Sequence, residues 1–405
     1  MNKPRIALLH YAAPPTIGGV ETTIAAHARL LADHDYPVQV IAGRGKRFDR
    51  RIPLRLIPCI DSKSPRVLRV NEELAHGGVS KKFYPLVEQL TRRLEAALGR
   101  TDVLIVHNAL SLHKNLALTV ALKNLNDAQH VRLIAWCHDF AWEDPQYAAD
   151  LHPGLPWELL KQPWKNVTYV VVSQARKQAL ENLWGAVNDK IAVVPAGIDP
   201  FEFLGISKKT QAWVEQLKLM EAAPLLLLPA RVTRRKNIER AMTIVAELIQ
   251  RGCKPKLVVT GPPGPHNPTN AAYLEQLFEL RKSLGIADAV IFLYEFGTVD
   301  ASEMRDLYLL SDGLLFPSER EGFGIPILEA GMNRLPIFCA DLPPFRETGQ
   351  MYPNYFSSQE SAASIADRMA DWFRKDSVYQ MKRRVISEYR WEQIFKHKIE
   401  PLLND

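Results

Sequence analysis

Phe316-Pro-Ser-Glu-Arg-Glu-Gly-Phe-Gly-Ile-Pro-Ile-Leu-Glu-Ala-Gly331 is the stretch on which the reading of this chain turns. Two carboxylates, Glu321 and Glu329, bracket a glycine-bearing turn, and the apolar run Leu314-Leu315-Phe316 in front of it reads as a strand. Gly322 and Gly324 let the backbone approach a ligand closely, Pro326 suits the first position of a helix, and a helix start leaves unpaired N–H groups facing any anion. Glu321 is therefore expected in the loop and Glu329 about one turn inside the helix. An ionised carboxylate only accepts hydrogen bonds, so each acid can hold hydroxyl groups such as those of a hexose or a ribose. The competing reading is two solvated acids beside a helix cap, and the interleaved glycines and the preceding strand argue against it.

Outward from this turn, short apolar runs alternate with longer amphipathic stretches, the pattern of parallel sheets covered by helices. Candidate strands are Arg5–His10, Val38–Ala42, Val103–Asn108, Arg132–His138 and Val167–Ser173, and the pattern restarts with Leu225–Arg231, Lys256–Gly261, Val290–Leu293, Gly313–Phe316 and Pro336–Cys339. Between the halves, Val193-Val-Pro-Ala-Gly-Ile-Asp-Pro-Phe201 is dense in turn formers. The expected fold class is α/β, with two Rossmann-like doubly wound domains facing a central cleft. Their expected extents are residues 1–199 and 200–375, with terminal helices over 376–405. Ligands of such sheets collect at the carboxyl ends of the strands.

With 405 residues, the chain is too long for one ordinary core. Hydrophobic residues make up 47% and charged residues 24%, the profile of a globular rather than a disordered protein. No apolar run approaches the roughly 18 residues that span a bilayer, and the opening Met-Asn-Lys-Pro-Arg with Ile6–Leu9 is too short for a signal peptide, so a cytoplasmic location is expected. Cys59, Cys137, Cys253 and Cys339 are far apart, without zinc or disulfide spacing, and reduced thiols are expected. The net charge of +6 and a pI near 9.0 would serve a nucleic acid, an anionic membrane surface or phosphorylated small molecules. No arginine stripe interleaved with aromatics is present, which argues against a nucleic-acid partner.

Further groups sit beyond the strand ends. Gly18-Gly19 closes the first loop at a helix start, ready to receive a phosphate oxygen, although the spacing is not the dinucleotide fingerprint. Arg231 and Lys236, beyond Leu225–Pro229, are well situated for a diphosphate, while Arg234 and Arg235 are expected to face solvent. His138 and Asp139 follow a strand and can hydrogen-bond near a reacting group. His107, Asn108, His113 and Lys114 span another strand end and the next helix start, and would suit a polar or acidic second substrate. Asp33-His34-Asp35 has the D-x-D pattern of a metal site, but its place after the first helix reads as a helix-ending turn.

Gly18-Gly19, His138-Asp139, Arg231 with Lys236, and the E-x7-E of Glu321 and Glu329 together resemble the GT-B retaining glycosyltransferases of family four, the group-one glycosyltransferases. The similarity covers nearly the whole chain, and the 316–331 segment is its most specific part. The resemblance implies a nucleotide sugar held mainly by the second domain, an acceptor held mainly by the first, and terminal helices crossing back to the first. It implies that Arg231 and Lys236 bind the diphosphate, Glu329 the ribose, and Glu321 with Gly322, Phe323 and Gly324 the donor hexose. Gly18 and Gly19 would approach the diphosphate, and His138 would contact the transferred sugar. His138, Glu321, Arg231 and Lys236 thus form the implied catalytic set, with no metal and no cofactor beyond a UDP- or GDP-sugar donor. His107, Asn108, His113, Lys114 and Asp139 are candidates for the acceptor.

This sequence departs from the family at Pro195-Ala196-Gly197, where Pro-Asn-Gly is usual, and in the proline-rich run Gly261–Pro268 near the base site. Two alternatives stand beside hexosyl transfer to a hydroxyl acceptor: a nucleotide-sugar epimerase of the same fold, and a binding protein without turnover. The stretch Lys81–Arg93 is amphipathic, and it reads either as a helix packed on the first sheet or as a peripheral contact with an anionic membrane. The sequence leaves the acceptor and the oligomeric state open.

Overall fold

The structure, a computed structural model, describes residues 3–16, 18–185, 191–262 and 269–404. Most of the proline-rich run after Gly261 lies outside the described residues. The chain divides into two compact units, one formed by Met1–Ile198 with Tyr389–Asp405 and the other by Asp199–Glu388.

The first unit is built on seven strands, β1 Ile6–Ala12, β2 Val38–Arg44, β3 Leu54–Leu56, β4 Val103–His107, β5 Arg132–Cys137, β6 Val167–Val171 and β7 Ile191–Val193. They pair in parallel in the order β3-β2-β1-β4-β5-β6-β7. Both faces are covered: Ile6 and Leu8 of β1 join one buried cluster with Val40 and Ile105, while Ala7 and Leu9 join another with Ile41 and Leu104. A strand buried on both faces needs a continuous apolar run, as the sequence shows. The final segment returns to this unit, where Ile394, Phe395, Ile399 and Leu403 pack into the cluster of Ile6 and Leu8. Gly197 is fitted to it, because a Cβ there would come within 2.6 Å of the Trp391 ring.

The second unit repeats the plan with β8 Leu225–Leu228, β9 Lys256–Val259, β10 Val290–Phe292, β11 Gly313–Phe316, β12 Ile337–Ala340 and β13 Asn354–Phe356, all parallel in the order β10-β9-β8-β11-β12-β13. Each unit is thus a doubly wound Rossmann-like sheet. The strand order reverses between β1 and β4 and again between β8 and β11, the crevice where open α/β sheets take ligands. The glycine-bearing turn at 322–324 and the basic turn at 231–236 follow β11 and β8, so both leave the same switch point.

The amphipathic stretch near residue 81 forms the helix Phe83–Leu98, whose Leu86, Leu90 and Leu94 are fully buried in the first unit's core. That apolar face is taken by the protein and is not offered to a bilayer. Asp33 ends the helix Gly19–Asp33, and Asp35 adopts a positive φ of 54°, so the D-x-D is a helix-ending turn. No helix among the described residues is long and apolar enough to cross a membrane.

Candidate active site

In the second unit, Glu321 gathers three donors. Lys236 Nζ forms an ion pair with Glu321 Oε1, Arg235 Nη1 lies 2.8 Å from Oε2, and Ser318 Oγ donates to Oε1 at 2.9 Å. The backbone joins the two loops as well, with Glu319 N donating to Arg235 O at 2.8 Å. Lys236 is 8% exposed, and its ammonium sits 4.9 Å from the centre of the Phe316 ring. Burial lowers the Lys236 pKa, against the pull of Glu321. Burial also works against ionisation of Glu321, but Lys236, Ser318 and Arg235 outweigh it and hold the carboxyl below its ordinary range.

Arg235 is exposed as expected, and it also reaches this cluster through Glu321. Three consecutive cations in a tight 3-10 turn, Arg234–Lys236, must point to different sides, and sequence does not say which. Arg234 stays exposed, bonded to Gln276 and 4.9 Å from the Tyr273 ring centre. Arg231 is exposed and has no ion pair with any described residue. Its backbone is packed against Gly261, where a Cβ would come within 2.6 Å of Arg231 Cα. Glu321 is thus tied to cations of the neighbouring loop.

Beyond Glu321, no described residue accepts a hydrogen bond from the backbone N–H groups of Gly322, Phe323, Gly324 or Ile325. They lead into the helix Ile325–Met332, capped by Gly324 in the left-handed region at φ 96°. Thr348 Oγ1 fixes the turn by donating to Phe323 O at 2.6 Å. Open amides at a helix start and cations are the two kinds of group that hold anions. Glu329 lies in that helix and accepts from Tyr308 OH at 2.6 Å. Tyr308 was missed because it is 21 residues away and only tertiary packing brings it close. A cavity of about 580 Å³, lined by Leu328, Gly331, Tyr352 and Trp372 among others, includes neither cation and neither glutamate.

In the first unit, His138 and Asp139 stand just past the end of β5. Asn108, at φ 58°, turns its side-chain oxygen to accept from His138 N at 2.8 Å and from Asp139 N at 3.4 Å. Asp139 is also 3.3 Å from Arg176. His107 is fully buried with Nδ1 3.1 Å from His138 Nε2, and His10 Nδ1 donates to His107 O at 3.0 Å. His107 and Asn108 therefore hold His138 in place and do not themselves lie open to an acceptor. Burial drives the pKa values of His10 and His138 down to about 4 and that of His27 to about 3, and His107 also well below its ordinary value.

His113 and Lys114 lie apart from that group. They line a cavity of about 350 Å³ with Asn71, Glu72, Asp150 and Trp157. The cavity's walls come from segments that follow β3, β4 and β5, so it opens at the carboxyl edge of the sheet. His113 Nε2 lies 3.4 Å from Asp150, its buried Nδ1 has no partner among the described residues, and Lys114 is exposed without an ion pair to a described residue. Gly18 is extended at φ −178°, which any residue adopts, and a Cβ there would collide with the Glu21 carboxylate. Gly19 opens the helix, and among the described residues no atom lies within 4 Å of a Cβ built there. An acid, not a cation, thus lies against this glycine pair. Among the described residues no group of three or more His, Cys, Asp or Glu is placed to hold a metal ion.

Residues 17–201 match Glycosyltransferase Family 4, and residues 209–390 match Glycosyl transferases group 1. An uncharacterized glycosyltransferase, MJ1607, of Methanocaldococcus jannaschii is 27% identical over 58% of this chain and 60% of its own length. The mannosylglucosylglycerate synthase of Petrotoga mobilis is 26% identical over 84% of this chain and 83% of its own. The serotype-specific mannosyltransferase WbdA of Escherichia coli is 28% identical over 47% of this chain but only 22% of its own length. The chain thus spans less than two thirds of the first and third of these relatives.

Proposed function

We propose that this chain, which belongs to the group 1 glycosyltransferases of GT-B fold, transfers a hexose from a UDP- or GDP-sugar to a hydroxyl acceptor with retention of anomeric configuration. The observation that carries the reading is the cluster of Lys236, Arg235, Glu321 and Ser318 beside four open amides at the switch point of the second sheet. Cations and amides fixed in advance stabilise the charge that builds on a departing diphosphate, and they need no reorganisation to do so. In this reading Lys236, Arg235 and Arg231 supply the positive charge that a metal ion supplies elsewhere. Glu329 holds the ribose, Glu321 and Gly322 to Gly324 the hexose, and the leaving diphosphate takes the acceptor's proton.

The second unit is then the donor side and the first unit the acceptor side. We assign the acceptor to the cavity of His113, Lys114 and Asp150, whose 350 Å³ suits a small polyol or sugar acid. Lys114 offers a cation to an acidic group, and Trp157 an apolar wall to a sugar face. The names of two relatives make mannosyl donors the first to try.

Thermal shift against a panel of nucleotide sugars identifies the donor. Incubating that donor with pooled polyols and sugar acids, with detection by mass, identifies the acceptor, and the anomeric proton of the product reports the stereochemistry. Donor turnover in the absence of any acceptor, or an inverted product, would contradict the proposal.

A further inference from the structure

We infer that His107 is a positioning residue that fixes the tautomer of His138, so that His138 meets a ligand as an N–H donor through Nδ1 and not as a base. The argument begins with His107, which has no exposed surface and whose ring lies among Trp136, His27 and His138. Among the described residues no carboxylate is in contact with it to support a charge, so the ring is neutral and carries one proton.

That proton has two places to sit. On Nε2 it would be a buried donor without an acceptor, because Nε2 has no hydrogen-bonding partner among the described residues. On Nδ1 it donates to His138 Nε2 at 3.1 Å. Orphaned buried N–H groups are rare, and a bare ring nitrogen is the lesser loss. His107 is therefore the donor and His138 Nε2 the acceptor. His138 is itself neutral, since burial keeps its pKa near 4 despite Asp139 beside it. With Nε2 bare, its single proton must be on Nδ1.

The surroundings leave His138 little freedom to turn away. Asn108 from the end of β4 holds its backbone N–H at 2.8 Å, and His10 from β1 holds the carbonyl of His107 at 3.0 Å. Three neighbouring strands thus aim one imidazole. The consequence rests on the function proposed above: a neutral N–H can hold an oxygen of the transferred sugar without setting a positive charge beside a carbon that is becoming positive. An imidazolium at the same place would oppose that charge.

The test is the nitrogen-15 spectrum of the histidine-labelled full chain near pH 7.5, which separates protonated from bare ring nitrogens, with His138 assigned from the His138→Gln variant. The expected result is His138 protonated at Nδ1 and bare at Nε2. A spectrum with His138 protonated mainly at Nε2 overturns the inference. In His107→Leu the donor is gone, so His138 should shift toward the Nε2–H form and kcat should fall at least about tenfold, with nucleoside diphosphate affinity unchanged. His107→Asn keeps an N–H near the same point and should restore both. An unaltered His138 tautomer in the leucine variant also overturns the inference. A shifted tautomer with an unaltered kcat upholds it and removes His138 from the transfer step. If the leucine variant does not fold, the spectrum of the parent protein still decides.

Discussion

Lys236 and Glu321, 85 residues apart in sequence, form an ion pair that joins the loop after β8 to the loop after β11, with each side chain about one tenth exposed. Neither strand end alone makes a binding site. The pair brings a cation and a carboxylate to the edge of open backbone amides, where an anion gains what the carboxylate gives up. Such an arrangement keeps the buried Lys236 from lying unpaired.

Lys236→Ala should weaken nucleoside diphosphate binding by about 10- to 100-fold, the loss expected for one charged hydrogen bond of roughly 1.5–3 kcal/mol. Glu321→Gln should do the reverse for binding, because Lys236 and Arg235 then face the diphosphate without a competing charge. Its turnover should nevertheless fall, since the donor hexose loses an acceptor of its hydroxyl protons. Calorimetry with the nucleoside diphosphate, set beside the rate of transfer, separates the two. Equal weakening in both variants would show that the ion pair only holds the loops together.

Glu329→Gln should cost affinity for a nucleoside diphosphate but none for inorganic pyrophosphate, because the assigned partner is the ribose. Tyr308→Phe removes a donor that orients Glu329, and should cause a smaller loss of the same kind, within about tenfold for one neutral partner. Titration of each variant with both ligands checks the assignment. A loss shared by pyrophosphate would move Glu329 away from the ribose.

Stability should fall as pH is lowered from about 6.5 toward 4. His10, His27 and His138 have folded pKa values of about 4, 3 and 4, below the 6.5 of a freely solvated histidine. Above 6.5 they are neutral whether folded or not and there is no penalty. Below it the unfolded chain takes up protons that the folded one refuses, and for His10 alone this amounts to roughly 3 kcal/mol by pH 4. His27, fully enclosed with neither ring nitrogen partnered among the described residues, is the clearest case. His27→Phe should therefore gain about 2 kcal/mol over the parent between pH 7 and pH 5, read from urea midpoints at the two values.

The sequence carried both Rossmann-like sheets because strands such as Ile6–Ala12 and Leu225–Leu228 are buried on both faces and must be apolar throughout. The three strands it did not reveal, Leu54–Leu56, Ile191–Val193 and Asn354–Phe356, are each three residues long and lie at sheet edges, where little burial is asked of them. Local spacing placed Glu321 in a loop and Glu329 on a helix. The partners of Glu321 and Glu329 were not legible: Ser318 is an ordinary serine until the turn closes, Arg235 is one of three adjacent cations, and Tyr308 arrives from another helix. The His107 and His138 contact was hidden for the same reason, since two strands must pair before the rings meet.

Gly322 and Gly324 look alike in sequence and should behave differently when changed to alanine. Gly324 has φ 96°, and a Cβ there would lie 2.8 Å from the Phe345 ring, so the fold itself demands glycine. Gly324→Ala should destabilise the second unit by about 1–3 kcal/mol, the cost of a strained backbone position. Gly322 has no positive φ, and a Cβ added there would meet no atom within 4 Å, so nothing in the described chain requires its small size. Gly322→Ala should then melt like the parent and yet bind the nucleotide sugar at least several-fold more weakly, because the added methyl enters the space assigned to the donor. Thermal melts with and without the donor resolve the pair. Unimpaired donor binding in Gly322→Ala would mean that the hexose lies elsewhere, and the assignment of Glu321 to its hydroxyls would fall with it.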